Sequence, residues 1–464
     1  MTVLRALFLV SEMAPLTGTS QRAKEHHFLS RAVAELGADV VVAVPGWQVP
    51  ASARRGLARR LTPLRLVTDN AADSVELTVL EGSAASGRVD LLVIDVPAEL
   101  TGERALALFY RAALVVTGVQ PDEGNAEHEQ APVDVVFASH GTLGALATVT
   151  GLSETDNPVR IFLLGDPEAE GVEFALDHAD RVVVSSAHLA RTLVGNIDSG
   201  GRDSVSRRLA RYRDLLRGVS AGIDTVEWNP RQDGLLDRDF MNDPRAGKAA
   251  HKQRLRDQLH LRASNPNIPL VALIGPIDDN VLTYGIANRL AQMPLQLVVV
   301  ADPEADAASL RYFNRLANQG PDRIAVRTFD DGDRRRAFVH DLVASADFFL
   351  IPRDASPLWV SDLYGMAYGC APIAPNVGGY ADMLVEFDGI SGTGSGFLFR
   401  PYESDHLLDA VQRALNAYRR QKQFGHLVER VMSLDLSWRA AAQRHINVVV
   451  DVLRERSRVD ALAS

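Results

Sequence analysis

The stretch that decides the fold is PRDASPLWVSDLYGMAYGCAPIAPNVGGYAD, residues 352–382. It follows the apolar run Phe348-Phe349-Leu350-Ile351, which is typical of a buried strand bounded by turn residues. Pro352 and Pro357 keep the residues after that strand out of regular structure. Residues 361–369 are then predicted to form a helix, because Ser361 is a favourable N-cap residue.

A second unit of the same kind follows directly. Residues 370–374 predict another short apolar strand, and Gly378-Gly379 opens the next junction between a turn and a helix. A glycine pair lets backbone N–H groups approach an anion, although on spacing alone it is equally compatible with a packing turn. Two consecutive strand–loop–helix units predict a doubly wound α/β sheet, which binds ligands at the carboxyl ends of its strands.

Residues 363–384, LYGMAYGCAPIAPNVGGYADML, resemble the donor-site segment of bacterial glycogen synthases and plant starch synthases. The likeness extends to SEMAP at residues 11–15, to residues 180–230 with GVSAGIDTVEWNP at their end, and to residues 434–453. It implies an α/β protein of GT-B architecture: two Rossmann-like, doubly wound domains facing a cleft, with a C-terminal helix that crosses back to the first domain. The expected parts are residues 1–245 (the acceptor-side domain), 246–440 (the nucleotide-sugar-side domain) and 441–464 (the returning helix).

Composition limits the function classes. The 464 residues carry a formal net charge of -10, which argues against nucleic acid as a partner because such proteins present basic surfaces. The single cysteine, Cys370, excludes an intrachain disulfide and a cysteine-based zinc site. No run approaches the roughly 18 apolar residues of a membrane span, and the N terminus is typical of a first strand rather than a signal peptide. We therefore expect a cytoplasmic protein, and the resemblance implies neither a metal nor a cofactor.

The resemblance also implies which residues should carry glucose transfer, and here the chain departs from the family. Gly18 stands at the Lys position of the family's K-x-G-G-L loop, and Ser356 stands at the position of its Glu. In the loop after the second domain's first strand, Pro276 replaces the Arg and Val281 replaces the Lys. Cations and N–H donors aimed at the leaving diphosphate are the main source of rate in such a reaction. No catalytic residue is therefore assigned.

Ligand contacts are expected from residues that the resemblance retains or that offer replacement charges. His140 is a candidate to replace the family's sugar-side His, whose aligned position falls on Thr142, although a loop histidine more often has no such role. The ligand-binding candidates are Tyr364, Gly378, Gly379, Arg353, Asp354 and His140.

Three hypotheses remain open. The first is a catalytically silent protein that binds a nucleotide sugar (ADP-glucose or UDP-glucose), an α-glucan or a protein partner. The second is an active glycosyltransferase in which Arg22, Lys24 and the charged candidates replace the lost groups. The third is a structural subunit, as a homo-oligomer or with another protein, in which Trp359 fills the donor pocket.

Two further patterns have ordinary interpretations. His26 and His27 are adjacent on a predicted helix, so their side chains point in different directions and favour packing over a shared site. The charged run HKQRLRDQLHL, residues 251–261, is predicted to be a solvated linker helix.

Overall fold

The computed structural model describes most of the chain, with gaps in several loops. The described residues are 3–18, 20–67, 74–84, 87–119, 133–139, 157–165, 172–198, 204–262, 265, 267–275, 277, 284–302, 305–352, 361–400 and 404–463. The chain forms two compact units: unit 1 comprises residues 1–222 and 438–464, and unit 2 comprises residues 223–437.

Unit 1 is built on a sheet with ten strands within the described residues. Nine of them lie on one path, in the order β10-β9-β8-β7-β1-β2-β6-β5-β3, and β4 pairs with β5 beside that path. The pairings are parallel from β10 to β6 and antiparallel around β5. The strands are β1 Arg5–Leu9, β2 Asp39–Pro45, β3 Ala58–Arg59, β4 Leu64–Val67, β5 Ser74–Ala84, β6 Val89–Asp95, β7 Val135–Ser139, β8 Val159–Leu163, β9 Arg181–Val184 and β10 Leu216–Gly218.

Helices cover the sheet of unit 1. Their bounds are α1 Gln21–Glu35, α2 Gly102–Val116, α3 Val172–His178, α4 Ala187–Asp198, α5 Ser204–Leu209 and the C-terminal α14 Trp438–Ala463, with 3-10 turns at Gly46–Gln48, Ala53–Gly56 and Ala210–Leu215. The last helix packs on the first, where the rings of Phe28 and Trp438 stack with centroids 6.0 Å apart. Arg456 also donates to Asp180 over 2.9 Å. The expected return of the C-terminal helix to the first unit is therefore present.

Unit 2 is a second parallel sheet with the strand order β13-β12-β11-β14-β15-β16. Its strands are almost continuously apolar and buried, as expected when helices cover both faces. The strands are β11 Leu270–Gly275, β12 Gln296–Ala301, β13 Ile324–Arg327, β14 Phe348–Leu350, β15 Ala371–Pro375 and β16 Phe397–Phe399. The helices are α6 Arg238–Asn242, α7 Pro244–Leu259, α8 Tyr284–Gln292, α9 Ala307–Gln319, α10 Gly332–Ser345, α11 Gly378–Met383, α12 Ser404–Arg419 and α13 Gln421–Ser433, with a 3-10 helix at Ser361–Tyr368.

The chain enters and leaves unit 2 at adjacent points. Ile223 pairs with Ser437 in a parallel bridge, and the Ile223 N–H donates to the Leu436 carbonyl over 2.8 Å. The division between the units thus falls before residue 223, earlier than the expected boundary at residue 245. The physical reason is that the intervening residues pack on unit 2, where Trp228 and Asp233 make their contacts.

The prediction of a solvated linker helix at residues 251–261 is wrong. Lys252, Arg256 and His251 are all less than 9% exposed, because their partners lie far away along the chain. The Lys252 ammonium donates to Asp347 over 2.5 Å and to the Tyr418 hydroxyl over 2.9 Å. The same Asp347 carboxylate accepts the N–H of Leu270, the first residue of β11, over 2.7 Å. A charge run therefore anchors the amino edge of this sheet.

Among the described helices, none combines the length and the apolar composition that crossing a bilayer requires.

The buried Lys252–Asp347 pair gives a stability prediction. Substitution Lys252→Met leaves the Asp347 carboxylate, only 9% exposed, without its cation. Breaking a buried ion pair in this way costs about 3–5 kcal/mol. We therefore expect the free energy of unfolding, measured by urea titration and circular dichroism, to fall by that amount. The matched control is Arg65→Met, whose pair with Glu76 is 70% and 53% exposed and is worth at most about 1 kcal/mol. Equal, small losses in both variants would contradict the role of the buried pair.

Candidate functional site

The carboxyl edge of the unit 2 sheet is where a ligand site is expected. Successive strands run outward from β11 to β13 in one direction and from β14 to β16 in the other, so the order reverses between β11 and β14. Ligands of doubly wound sheets bind outside the carboxyl ends of the strands at such a reversal. Strand β11 ends here at Gly275, whose φ of +121° favours glycine, and β14 leads to Ile351 and Pro352.

Gly378 and Gly379 lie beside this reversal, after the carboxyl end of β15. Gly378 has a φ of +52°, in the left-handed region, so a side chain there would strain the backbone. Gly379 is buried at the start of the six-residue helix α11. The Asn376 N–H before them donates to the Phe399 carbonyl of β16 over 2.7 Å. The predicted glycine turn is thus present, and its ligand role stays a prediction.

Tyr364 lies on the 3-10 helix after β14 and belongs to an aromatic cluster. Its ring stacks on Trp228, with centroids 4.0 Å apart and 17° between the planes. Phe349 of β14 packs against the same ring at 5.5 Å. The other face of Trp228 stacks on the imidazole of His340, with centroids 4.1 Å apart and 14° between the planes. Trp228 is therefore held between two rings, and it fixes one face of Tyr364.

A buried polar network lies against this stack. His340 Nδ1 and the Tyr368 hydroxyl each approach Asp233 Oδ2 to 2.6 Å, and the His340 and Asp233 side chains are 1% and 2% exposed. Burial opposes ionisation of Asp233. Hydrogen bonds from His340, Tyr368 and the Leu235 N–H outweigh burial and lower the pKa of Asp233. Asp233 is thus a carboxylate that tolerates burial because donors surround it.

Glu227 adds a second carboxylate to the network. Its Oε1 lies 3.7 Å from His340 Nε2, an ion-pair distance rather than a hydrogen bond, and 2.6 Å from Arg336 Nε. His340 and Arg336 together lower the pKa of Glu227 to about 2. Burial lowers the pKa of His340, but its two acidic neighbours outweigh burial and raise the pKa above the usual value. These groups favour a protonated imidazole.

In unit 1, the loop after β1 carries the predicted Gly18. Its φ of +144° again favours glycine, and an added β-carbon would meet nothing within 4 Å. The loop makes its own hydrogen bonds: the Met13 N–H donates to Thr17 Oγ1 over 2.9 Å, and the Ser20 hydroxyl donates to Glu12 Oε2 over 2.6 Å. Ser20 also caps α1 by accepting the Ala23 N–H over 3.0 Å. The described side chains of this loop therefore bond to one another, and Gly18 contributes no charge to it.

Arg22 lies at the carboxyl edge of the unit 1 sheet. A β-carbon on Gly165, which follows β8, would lie 3.1 Å from Arg22 Nη2, so this glycine leaves room for the guanidinium. Glu25, one turn further along α1, keeps part of its surface exposed, but protein atoms fill most of its surroundings and exclude water. This desolvation raises the pKa of Glu25 to about 8, against the opposing hydrogen bond from Gln21 and charge of Arg22. Arg22 is thus a cation near the position of Gly18.

The remaining predicted residues divide into two groups. His26 is 5% exposed, its Nδ1 lies 2.6 Å from the Glu12 carbonyl, and burial lowers its pKa to about 4, so it packs as a neutral side chain. Lys24 is exposed, and His27 contacts Phe28 edge to face. Several predicted positions lie outside the described residues: His140, Pro276, Val281, Arg353, Asp354, Ser356 and Trp359.

Sequence reasoning missed the polar network. His340 is one residue of an ordinary helix, α10, and Asp233 follows the Trp-Asn-Pro motif without a pattern of its own. The only available signal was Trp228 within that motif. The partners of Trp228 are distant in sequence, so periodicity along the chain does not reveal them.

A cavity of about 200 Å³ lies beside Trp228 within unit 2. Its lining includes Ile223, Thr225, Trp228, Asn229, Met432 and Asp435. It is smaller than the roughly 300–1,000 Å³ of pockets for drug-sized ligands, so it does not match a nucleotide sugar in size.

Comparison with curated proteins identifies relatives of one kind. The glycogen synthase of Anaeromyxobacter sp. (strain Fw109-5) is 36% identical over 273 residues, which are 58% of this chain and 54% of the relative. The chain thus matches about half the length of that relative. Glycogen synthase 1 of Methylococcus capsulatus is 28% identical over 97% of each chain. No protein-family model matches the chain.

Solved structures with a similar fold cover nearly the whole chain. The catalytic domain of starch synthase IV from Arabidopsis thaliana, bound to ADP and acarbose, superposes with a TM-score of 0.73 at 20% identity, covering 98% of this chain and 100% of that one. The α,α-trehalose-phosphate synthase of Burkholderia vietnamiensis gives a TM-score of 0.54 at 14% identity, covering 99% and 100%. These structures confirm the predicted GT-B fold class, and the sequence relatives confirm the resemblance to glycogen synthases. The chain is therefore similar to glycogen synthases in sequence and to starch synthase IV in fold.

Proposed function

We propose that this protein binds a nucleotide sugar or an α-glucan on a glycogen synthase-like scaffold without transferring glucose. The observation that supports this most directly is the loop at residues 11–20. Gly18 stands at the family's Lys position, and the nearby Ser20 hydroxyl bonds the Glu12 carboxylate. Gly18 supplies no charge at this position, whereas the reaction needs cations at the leaving diphosphate.

The sequence supports the same proposal at positions outside the described residues. Pro276, Val281 and Ser356 replace three more groups to which the family resemblance assigns catalytic roles. A single replacement is compatible with a variant enzyme. Loss of every expected charge around the leaving group removes the transition-state stabilisation on which the rate depends.

The retained features support binding. The Gly378-Gly379 turn lies after the carboxyl end of β15, where a doubly wound sheet binds ligands, and Tyr364 lies on the 3-10 helix between β14 and β15. The related starch synthase IV structure holds ADP and acarbose, which suggests adenine nucleotides and glucans as ligands for this chain. We extend the proposal to a cytoplasmic location and to a regulatory or assembly role in polysaccharide metabolism, with a protein partner or as a homo-oligomer.

A second candidate function is an active glycosyltransferase with non-standard site residues. Arg22 favours it, because its guanidinium lies against Gly165 at the carboxyl edge of the unit 1 sheet. That position offers a replacement cation close to the loop that lost its lysine. Lys24, the other replacement proposed on this helix, is exposed to solvent.

The first prediction concerns turnover. With glycogen or maltooligosaccharides as acceptor, we expect no transfer of labelled glucose from ADP-glucose or UDP-glucose above the rate without protein. The reason is that the leaving diphosphate lacks its usual cations. Transfer at an enzyme-like rate, with turnover on the order of 1 per second or faster, would refute the non-catalytic proposal.

The second prediction concerns binding and is measured by thermal unfolding with each ligand separately. A bound nucleotide sugar or glucan at about 100 times its dissociation constant stabilises the protein by about 2.7 kcal/mol, seen as a raised Tm. We expect such a shift with ADP-glucose, ADP, UDP-glucose or maltooligosaccharides at millimolar concentration, and none with sucrose at the same concentration. If no ligand in the set shifts the Tm, binding of nucleotide sugar and glucan is excluded and assembly with a protein partner is the remaining role.

The third prediction separates the two candidate functions. If Arg22 supplies the missing cation, Arg22→Ala weakens the binding of ADP and of ADP-glucose by at least about tenfold, the loss of a charged hydrogen bond of about 1.4 kcal/mol. Lys24→Ala is the matched control on the same helix, and we expect it to leave binding unchanged. If the protein is non-catalytic, as we favour, we expect Arg22→Ala and Lys24→Ala to weaken the binding of ADP and ADP-glucose equally little. Isothermal titration calorimetry measures the dissociation constants.

A further inference from the structure

The segment where the chain enters unit 2 is fastened by side chains at three points. We call residues 223–236 the joining segment. Trp228 is stacked between His340 and Tyr364, Asp233 accepts from His340 and Tyr368, and Glu227 accepts from Arg336. His340 takes part through both its ring face and its nitrogens. This one imidazole therefore contacts all three of these residues of the joining segment.

Both nitrogens of that imidazole face carboxylates of the joining segment. Nδ1 is 2.6 Å from Asp233 Oδ2, and Nε2 is 3.7 Å from Glu227 Oε1. A neutral imidazole carries one N–H and donates to one partner, whereas an imidazolium carries two and attracts both. The number of attachments between α10 and the joining segment therefore depends on one proton.

We propose that His340 is a proton-operated latch: the imidazolium ties the joining segment to α10 at both Asp233 and Glu227, and loss of the proton releases the Glu227 side. The latch acts within unit 2 and does not depend on whether a sugar or nucleotide binds. It makes the attachment of the joining segment weaken as the imidazolium loses its proton with rising pH.

The other charged and titratable groups around the imidazole belong to three elements. Asp233 and Glu227 come from the joining segment, Arg336 lies one turn earlier on α10, and Tyr368 lies on the 3-10 helix. Arg336 stays bonded to Glu227 in either state of His340, so release is partial. Tyr368 continues to donate to Asp233, because burial and the neighbouring carboxylate raise its pKa far above neutrality.

The direction of the pH effect follows from the pKa shifts. The pKa of His340 is raised above its unfolded value of about 6.5, so its stabilisation is complete below that pH and is lost as pH rises through the folded pKa. The pKa values of Asp233 and Glu227 are lowered, so their stabilisation is complete above about pH 5 and is lost only in strong acid. The latch is therefore closed in mild acid and loosens above neutrality.

Hydrogen exchange measured by mass spectrometry on the full chain tests the latch. In peptides covering residues 223–236, we expect protection, corrected for the intrinsic pH dependence of exchange, to fall between pH 6.5 and 8.5. Titration of a single group changes the protection factor by at most about tenfold for each pH unit, and only between the unfolded and folded pKa of that group. In His340→Gln this fall disappears. The control His426→Gln, whose side chain is 59% exposed and paired only with Glu429 in the described contacts, keeps the fall of the natural protein.

A second variant tests the same proposal if His340→Gln does not fold. Glu227→Gln removes the half-exposed carboxylate but leaves the buried contact between His340 and Asp233. We expect it to fold and to show a smaller pH-dependent loss of protection than the natural protein. Protection that does not change with pH in the natural protein, or that changes equally in Glu227→Gln, would overturn the latch.

Discussion

A carboxylate that is 2% exposed must be surrounded by donors, and this requirement at Asp233 organises the start of unit 2. His340 and Tyr368 supply the donors from two different elements, α10 and the 3-10 helix. Once His340 is fixed, its ring face stacks on Trp228, and Trp228 in turn fixes one face of Tyr364. The need to pair the buried Asp233 carboxylate thus fixes the backbone of the joining segment and, through Trp228, the ring of the candidate ligand residue Tyr364.

Much of the fold was predictable because its signals are local. The strand predicted at residues 370–374 is present as β15, Ala371–Pro375, since a continuous apolar run between turn residues has few alternatives. Helix α7 shows the opposite case, because nothing near Lys252 in the sequence indicates that Asp347 will neutralise it inside the protein. The same limit applies to His340 and Arg22, whose roles come from partners on distant strands and loops. Charge runs are informative about burial only when their partners are known.

The candidate site likewise contains features that the sequence identified and features that only the structure shows. Glycines at turns were found from sequence because backbone conformation alone requires them, as the positive φ angles of Gly18 and Gly378 show. Family motifs selected Tyr364 as a ligand candidate, a role that stays a prediction, and they made the missing lysine at position 18 visible. They did not reveal that the Glu12 carboxylate bonds Ser20 in that loop, since this depends on how the loop closes on itself. Absence of a motif residue is readable from sequence, whereas its replacement is a three-dimensional property.

The parallel bridge between Ile223 and Ser437 has a consequence for how such a protein evolves and is engineered. The two ends of unit 2 leave it side by side, so unit 2 has the form of a cassette inserted into the chain of unit 1. Domains with adjacent termini tolerate transplantation and circular permutation, because no long connection has to be rebuilt. Exchange of residues 223–437 with the corresponding segment of a relative therefore keeps both junctions short. Such chimeras offer a route by which a scaffold of this kind gains or loses a ligand-binding half as a single event.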